Sequence, residues 1–484
     1  MITRWPLPAP TRRPQVAPRA GRLLGTSAAG WRLVPPSGTP IYFINASAFN
    51  LLGAEAWIDN LTFVTATDSF DGRHPNTFVA GRNRPAGLDL VATTNYLLRQ
   101  PEVADFFRKR GPGGKVLFLM LDEETERLAR RLGLEVCLPP ATLRERLDNK
   151  VTATRLATAA GVASVPHVLA SVESYAALRR IAGHLGPDLV VQLPHGDSGK
   201  TTFFISTEED FHRHRTEIAS VPEVKVMRRI RCRPATLEAC VTRHGTLVGP
   251  LLTELTGCPD LTPYGGGWCG NELAWDAFTP EVRRQAQRAA LAMGAVLRRQ
   301  GYRGCFGLDF LLEEGSDVLY LGELNPRLTG VTPLTSQAAL DRGLAPLVLY
   351  HLAEWLRIDW AGEVDELNRV WLDTPGPASW GQLILEQIDT SPSVVTAEPQ
   401  SGIWRLGADG AVSFVRPGWL HQAIAAETEA LFLRTSDVGH GFHPGTCCGR
   451  LITRGRVLTE NGLLTPWAKA WVSGFRKLFA TQPL

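Results

Sequence analysis

The sequence predicts a multidomain protein of mixed α/β and α+β class, and three observations carry that prediction. Its 484 residues suit about three domains of roughly 150 residues each. Between residues 40 and 147, short apolar strand-like runs alternate with helical stretches, the pattern of an N-terminal α/β domain with a largely parallel sheet. A second unit opens at 148 and extends to 365. Beyond it the pattern shortens and becomes more strand-like, giving a small C-terminal mixed α+β domain over 366–484.

Residues 1–39 read as a disordered leader. The first twenty are rich in Arg and Pro but lack the apolar centre of a secretory signal. The first domain then gives strands over 40–45, 61–66 and 115–121, a helical stretch over 48–57, and helices over 95–109 and 123–132. Residues 68–75 have loop character. In the second unit, Asp148 is placed to cap an Ala-rich helix that Gly161 ends. Strands follow over 166–170, 188–193 and 201–206, with a helix over 171–185, and further strands over 223–230, 236–243 and 246–252. A long helix over 279–300 starts at Thr279-Pro280 and stops at Gly301. Strands over 304–312 and 317–325 come next, joined by a tight turn. The last unit carries strands over 381–387, 401–406 and 411–415 and ends in a helix over 466–479.

Composition narrows the function. Hydrophobic residues make up 44% and charged residues 20%, which excludes a largely disordered chain. Lys and Arg exceed Asp and Glu by only 51 to 48, too little for nucleic acid or an anionic membrane to be the main partner. No apolar run approaches the ~18 residues of a membrane span. The eight cysteines include no CxxC pair, so a reducing cytoplasm is expected rather than a disulfide framework.

Three stretches bear on chemistry. Asp309 lies on the first strand of the 304–325 hairpin; Glu323 and Asn325 alternate on the second and so share a face. Two carboxylates and an amide oxygen are hard ligands, suited to Mg²⁺ that phosphate oxygens also hold. An unpaired Glu323 in so apolar a strand would be costly. Arg327, just past the strand, has the fork geometry for an acyl or phosphoryl group. Second, the strand 188–193 runs into a small-residue loop, 194–200, whose backbone N–H groups and Lys200 can face phosphates. This loop is not a P-loop: Pro194 stands where the first glycine belongs, and a strand follows instead of a helix. Third, residues 225–233 hold five Arg and Lys and read as a solvated strand. Residues 264–270 look like a mobile glycine-rich loop, of the kind that covers active sites.

Taken in order, these residues resemble the ATP-grasp superfamily, and within it the biotin-carboxylase-like carboxylate–amine ligases, over about 40 to 475. The most specific likeness is Glu323-Leu-Asn-Pro-Arg327, similar to the family's E-[IVLM]-N-x-R signature. The resemblance implies a two-subdomain ATP-grasp fold over 148–365 behind an N-terminal domain at 40–147, and a C-terminal biotin-carboxylase-like domain. It implies Lys150 as the first nucleotide-contacting lysine, and Gly196, Ser198, Gly199, Lys200 and Thr201 as the flexible loop over the phosphates. It also implies Met227–Ile230 as the adenine hinge, with Met227 and Ile230 at the nucleotide, and Glu238 beside it. Asp309, Glu323 and Asn325 resemble the Mg²⁺ ligands, with Mn²⁺ an alternative ion. Gln192 stands where the family has its second lysine, and Lys200 is the expected substitute for that charge. Asp309 replaces the more usual Glu, a shorter reach to the ion.

The implied reaction uses ATP to turn a carboxylate into an acylphosphate that an amine captures, releasing ADP and phosphate. Arg327 would be the catalytic residue that steadies the carboxylate. Small-molecule substrates, amino-acid or peptide-like, are the expected partners, and the resemblance allows a homodimer. A biotin-dependent carboxylase component is the alternative, although the Ala-Met-Lys-Met context and a tetraglycine phosphate loop are absent. A nucleotide-binding protein without turnover is the other, motivated by Gln192.

Overall fold

The computed structural model describes residues 20–26, 30–81, 84–85, 87–196, 199–373, 375–376 and 378–484. The N-terminal sheet is parallel, with strands in the order Thr77–Val79, Leu61–Thr65, Ile41–Asn45, Lys115–Phe118 and Glu135–Val136. Ile41–Asn45 and Leu61–Thr65 are buried along their whole length, which explains their continuous apolar character.

Two expectations for this region are corrected. The disordered leader does not hold for its second half: Arg22–Thr26 and Gly30–Val34 pair as an antiparallel hairpin. Leu33 is buried and donates its N–H to the Trp57 carbonyl, and Trp31 Nε1 donates to the Gly343 carbonyl at 2.8 Å. Those contacts lie far away in sequence, so the local Pro/Gly composition did not signal them. Residues 1–19 fall outside the described residues. The single helix expected over 95–109 is two, Leu90–Arg99 and Pro101–Arg110. Pro101 holds Gln100 extended and takes the first helical position, where its missing N–H leaves nothing unsatisfied.

The second unit has two antiparallel sheets. The smaller orders its strands Thr202–Ile205, Leu189–Gln192, Val224–Arg228 and His167–Ala170. Leu178, Phe211 and Ile218 from short helices cover one of its faces. The larger sheet has ten strands, in the order Leu319–Asn325, Gly304–Glu313, Cys232–Thr242, Gly245–Thr256, Trp268–Leu273, Trp380–Glu386, Cys447–Arg454, Glu429–Arg434, Gly402–Leu406 and Val412–Arg416. The helix Pro280–Arg299, capped by Thr279 with Pro280 at its first position, packs its Val282, Ala286, Ala290 and Met293 stripe against this sheet.

The large sheet crosses the boundary expected at residue 365. Trp268–Leu273 pairs directly with Trp380–Glu386, from Gly270↔Leu383 to Leu273↔Trp380, so the C-terminal strands extend the second unit's sheet. Residues 264–270 are likewise not all loop, because the strand begins at Trp268. Helices Thr332–Asp341, Leu347–Leu356 and Val364–Asp373 were not read from the sequence. The first two are buried nearly all round, so they lack an amphipathic stripe.

Candidate active site

The facing sides of the two antiparallel sheets hold most of the sequence-predicted residues. The helix Lys150–Ala159 opens there. Its cap is Asn149, whose side chain accepts from the Val151 and Thr152 N–H groups. Asp148, the expected cap, ends the preceding helix and pairs with Arg144 at 2.9 Å. Capping by Asn149 sets Lys150 at the helix start, 7% exposed. Its Nζ donates to Glu323 Oε1 and to the Gly196 carbonyl, both at 2.8 Å, and its backbone N–H to the Pro194 carbonyl. One lysine thus joins the 194–196 loop to the carboxylate strand.

The hairpin register sets Asp309 opposite Glu323 and Gly307 opposite Asn325. The side chains form a chain of polar contacts. Thr236 Oγ1 donates to Asp309 Oδ1 and Asn325 Nδ2 to Asp309 Oδ2, each at 2.7 Å; Arg327 Nη2 donates to Asn325 Oδ1 at 2.8 Å. Burial, and then the charge of Glu323, push the Asp309 carboxyl up to about 6. The sequence reading missed Glu254, on Gly245–Thr256. Burial and the charges of Asp309 and Glu323 push its carboxyl well above the usual range, so a third carboxylate feels the same field. Its signal was available: Glu254 interrupts an apolar strand as Glu323 does.

This donor set fits Mg²⁺ by its chemistry. Crowded, partly desolvated carboxylates repel one another until a cation or protons compensate. Two carboxylates and an amide are the protein share of a site that phosphate oxygens complete. Among the described residues, no group of three or more His, Cys, Asp or Glu side chains is arranged to hold a metal by itself.

Across from the hairpin, the small sheet contributes an apolar cluster. Val190 and Met227 pack with Val165, Ile230, Leu311 and Tyr320. Gln192 Nε2 donates to Thr202 Oγ1 at 3.3 Å while its Oε1 lacks a protein partner. Gly196 has φ +147°, a conformation that residues with a side chain rarely adopt, and a Cβ there would lie 2.0 Å from Thr201 Oγ1. Gly199 approaches Gly266, where a Cβ would meet the Gly266 carbonyl oxygen at 3.3 Å, so the two glycine-rich segments touch. Ser198 lies outside the described residues.

Three further groups named from the sequence have the following surroundings, and the last corrects its reading. Lys200 is exposed, and its charge adds slightly to the field at Glu386. Glu238 is 0% exposed, with Oε1 accepting from Thr332 Oγ1 at 2.6 Å. That contact braces the turn after Arg327, while Oε2 is buried without a protein partner. Glu238 keeps regular register opposite Gly307, two residues from Thr236 opposite Asp309, and so lies on the same face of the strand. The basic stretch is not a solvated strand: Lys225 is 1% exposed, Arg228 pairs with Glu313 at 2.9 Å, and Arg229 lies over the Phe204 ring.

Solved structures share this fold. The Campylobacter jejuni biotin carboxylase, as a β-γ-ATP complex, is similar with a TM-score of 0.61 at 11% identity, over 92% of each chain. The biotin carboxylase domain of Hydrogenobacter thermophilus 2-oxoglutarate carboxylase, a dimer with MgADP, ADP and bicarbonate, gives 0.59 at 13% identity, over 92% of this chain and 90% of that one. The chain has an ATP-grasp fold. Carboxyaminoimidazole ribonucleotide synthase from Aspergillus clavatus, complexed with ATP, extends the likeness to a second enzyme with a TM-score of 0.54 at 11% identity, over 91% of this chain and 99% of that one. No protein-family model and no curated protein matches the sequence. The ATP-grasp fold accounts for the two facing sheets; substrate choice belongs to the side chains that line them.

Proposed function

We propose that this protein is an ATP-dependent, ADP-forming ligase that activates a carboxylate as an acylphosphate for attack by an amine. The observation that carries the proposal is the unbroken contact chain Thr236–Asp309–Asn325–Arg327, with Lys150 on Glu323. Asp309, Glu323 and Asn325 would hold Mg²⁺, which supplies charge neutralisation at the β- and γ-phosphate oxygens. Lys150 adds a buried cation on the same side, and the Gly196–Thr201 loop offers backbone donors. Val190, Met227 and Ile230 would receive the adenine ring.

Arg327 orients the acid substrate. Asn325 Oδ1 fixes one end of the guanidinium, and Nε is buried without a protein partner. A carboxylate is a matching acceptor for such a group, and the same donors favour the oxyanion formed when the amine adds. The contact between the two glycine-rich segments helps exclude water, which would hydrolyse an acylphosphate.

Glu323→Gln tests the reading. It should abolish most ATP turnover, by about 10²-fold or more, while leaving the far-ultraviolet circular dichroism spectrum intact. ADP release would be followed against panels of carboxylic acids with amino acids, and in parallel against bicarbonate with free biotin. Turnover only with bicarbonate would replace the ligase by a carboxylase, and unchanged turnover in Glu323→Gln would reject the metal assignment.

A further inference from the structure

Lys225 is a buried cation that the proposed chemistry leaves unused. It lies on Val224–Arg228, the strand hydrogen-bonded to Leu189–Gln192, and its Cα partner there is Gln192. Directly paired residues of neighbouring strands project from the same face. Lys225 and Gln192 therefore emerge together on the inner face, alongside the Val190 and Met227 pair of the apolar cluster. The side chain is 1% exposed and borders a small cavity with Lys150, Gly322 and Glu323.

No described residue accepts a hydrogen bond from the Lys225 ammonium, and no carboxylate of a described residue stands within ion-pairing distance. Glu323 is the nearest opposing charge, and it already accepts from Lys150. Burial pulls the Lys225 ammonium down to about 8; Glu323 opposes the drop and Lys150 adds to it. A desolvated ammonium without a partner is costly. Its neighbour Lys150 is likewise cationic and takes up Glu323, the one carboxylate whose charge acts on Lys225.

We propose that Lys225 binds the phosphates of the nucleotide, supplying from the adjacent strand the cation that Gln192 does not. The assignment rests on the nucleotide reading above and names a residue that motif and spacing do not reveal. The ligand feature it recognises is a polyphosphate anion. Gln192, with its unsatisfied Oε1, orients beside it as a neutral amide. Lys200, by contrast, is exposed.

Isothermal titration of the full chain tests this with ADP, ATP and adenosine. Lys225→Met keeps the length and apolar stem of the side chain, and it should weaken ADP and ATP binding by about 10- to 100-fold. Adenosine binding should move by less than about threefold, since adenosine carries no phosphate. A transposed variant, Lys225→Gln with Gln192→Lys, returns the cation to the same face from the other strand. It should recover ADP affinity to within about tenfold of wild type. If Lys225→Met binds ADP as wild type does, or loses ADP and adenosine equally, the assignment is wrong. Failure of the transposed variant to improve on Lys225→Met also counts against it. Absence of adenine-nucleotide binding in the wild type would instead overturn the ATP reading, and this assignment with it.

Discussion

At the scale of single residues, the site works through groups that hold one another. Arg327 is fixed by Asn325, Asn325 by Asp309, and Asp309 by Thr236. Lysine in place of Arg327 keeps the charge but loses the fork, so it cannot hold Asn325 and a substrate carboxylate together. Arg327→Lys should lower kcat by about 10²-fold with the KM for ATP nearly unchanged, as read from steady-state ADP release. A larger effect on the ATP KM than on kcat would show that Arg327 serves the nucleotide instead. Thr236→Val should be milder, because it removes one of the two hydrogen bonds to Asp309, a loss of about 1–3 kcal/mol for a charged acceptor.

At the scale of elements, the helix Leu347–Leu356 joins the N-terminal domain to the large sheet. His351 is its connector. Nδ1 accepts the Cys305 N–H at 2.9 Å, so Nε2 carries the hydrogen and donates to the Cys137 carbonyl at 2.7 Å. Burial pulls its pKa down to about 4, and Arg303 adds to the drop, while the Cys137 carbonyl and Glu354 oppose it. Between the ordinary value near 6.5 and about 4, the unfolded chain takes up a proton that the folded chain refuses. The stability from this group is therefore complete above about pH 6.5 and is lost as pH falls towards 4, by up to about 3 kcal/mol. Buried His421, also pulled down to about 4, adds in the same direction. Urea unfolding from pH 7 to 4.5 should show this decline, and His351→Leu should be less stable at pH 7 but less sensitive to acid. An unaltered slope in His351→Leu would assign the decline to other groups.

At the scale of the whole molecule, the ten-stranded sheet makes the nucleotide-facing strands and the C-terminal strands one structure. Its narrowest point is Gly270, at φ +147°, where a Cβ would stand 2.1 Å from the Gln382 carbonyl oxygen. Gly270→Ala should destabilise the protein by at least about 2 kcal/mol. Wild-type unfolding of the two regions should then be a single transition, with tryptophan fluorescence and circular dichroism coinciding. Well-separated transitions would show that the shared sheet does not couple them. All eight cysteines are free, so no covalent link contributes to that coupling. No helix among the described residues is long and apolar enough to cross a membrane.

What the sequence determined by itself is local. The alternation of Glu323 and Asn325 on one strand, the Thr279-Pro280 helix start and the extended, apolar N-terminal strands all follow from residues a few positions apart. The tertiary structure alone decided which segments became neighbours. It buried Glu238 against Thr332, continued the sheet past residue 365, and moved the cap from Asp148 to Asn149. It also brought Lys225 beside Gln192 and Glu254 into the field of Asp309 and Glu323. The reason is physical. Side-chain direction within a strand is a two-residue property, but strand order and register come from burying apolar surface across the whole chain, and a charge becomes functional or costly only once that burial removes its water.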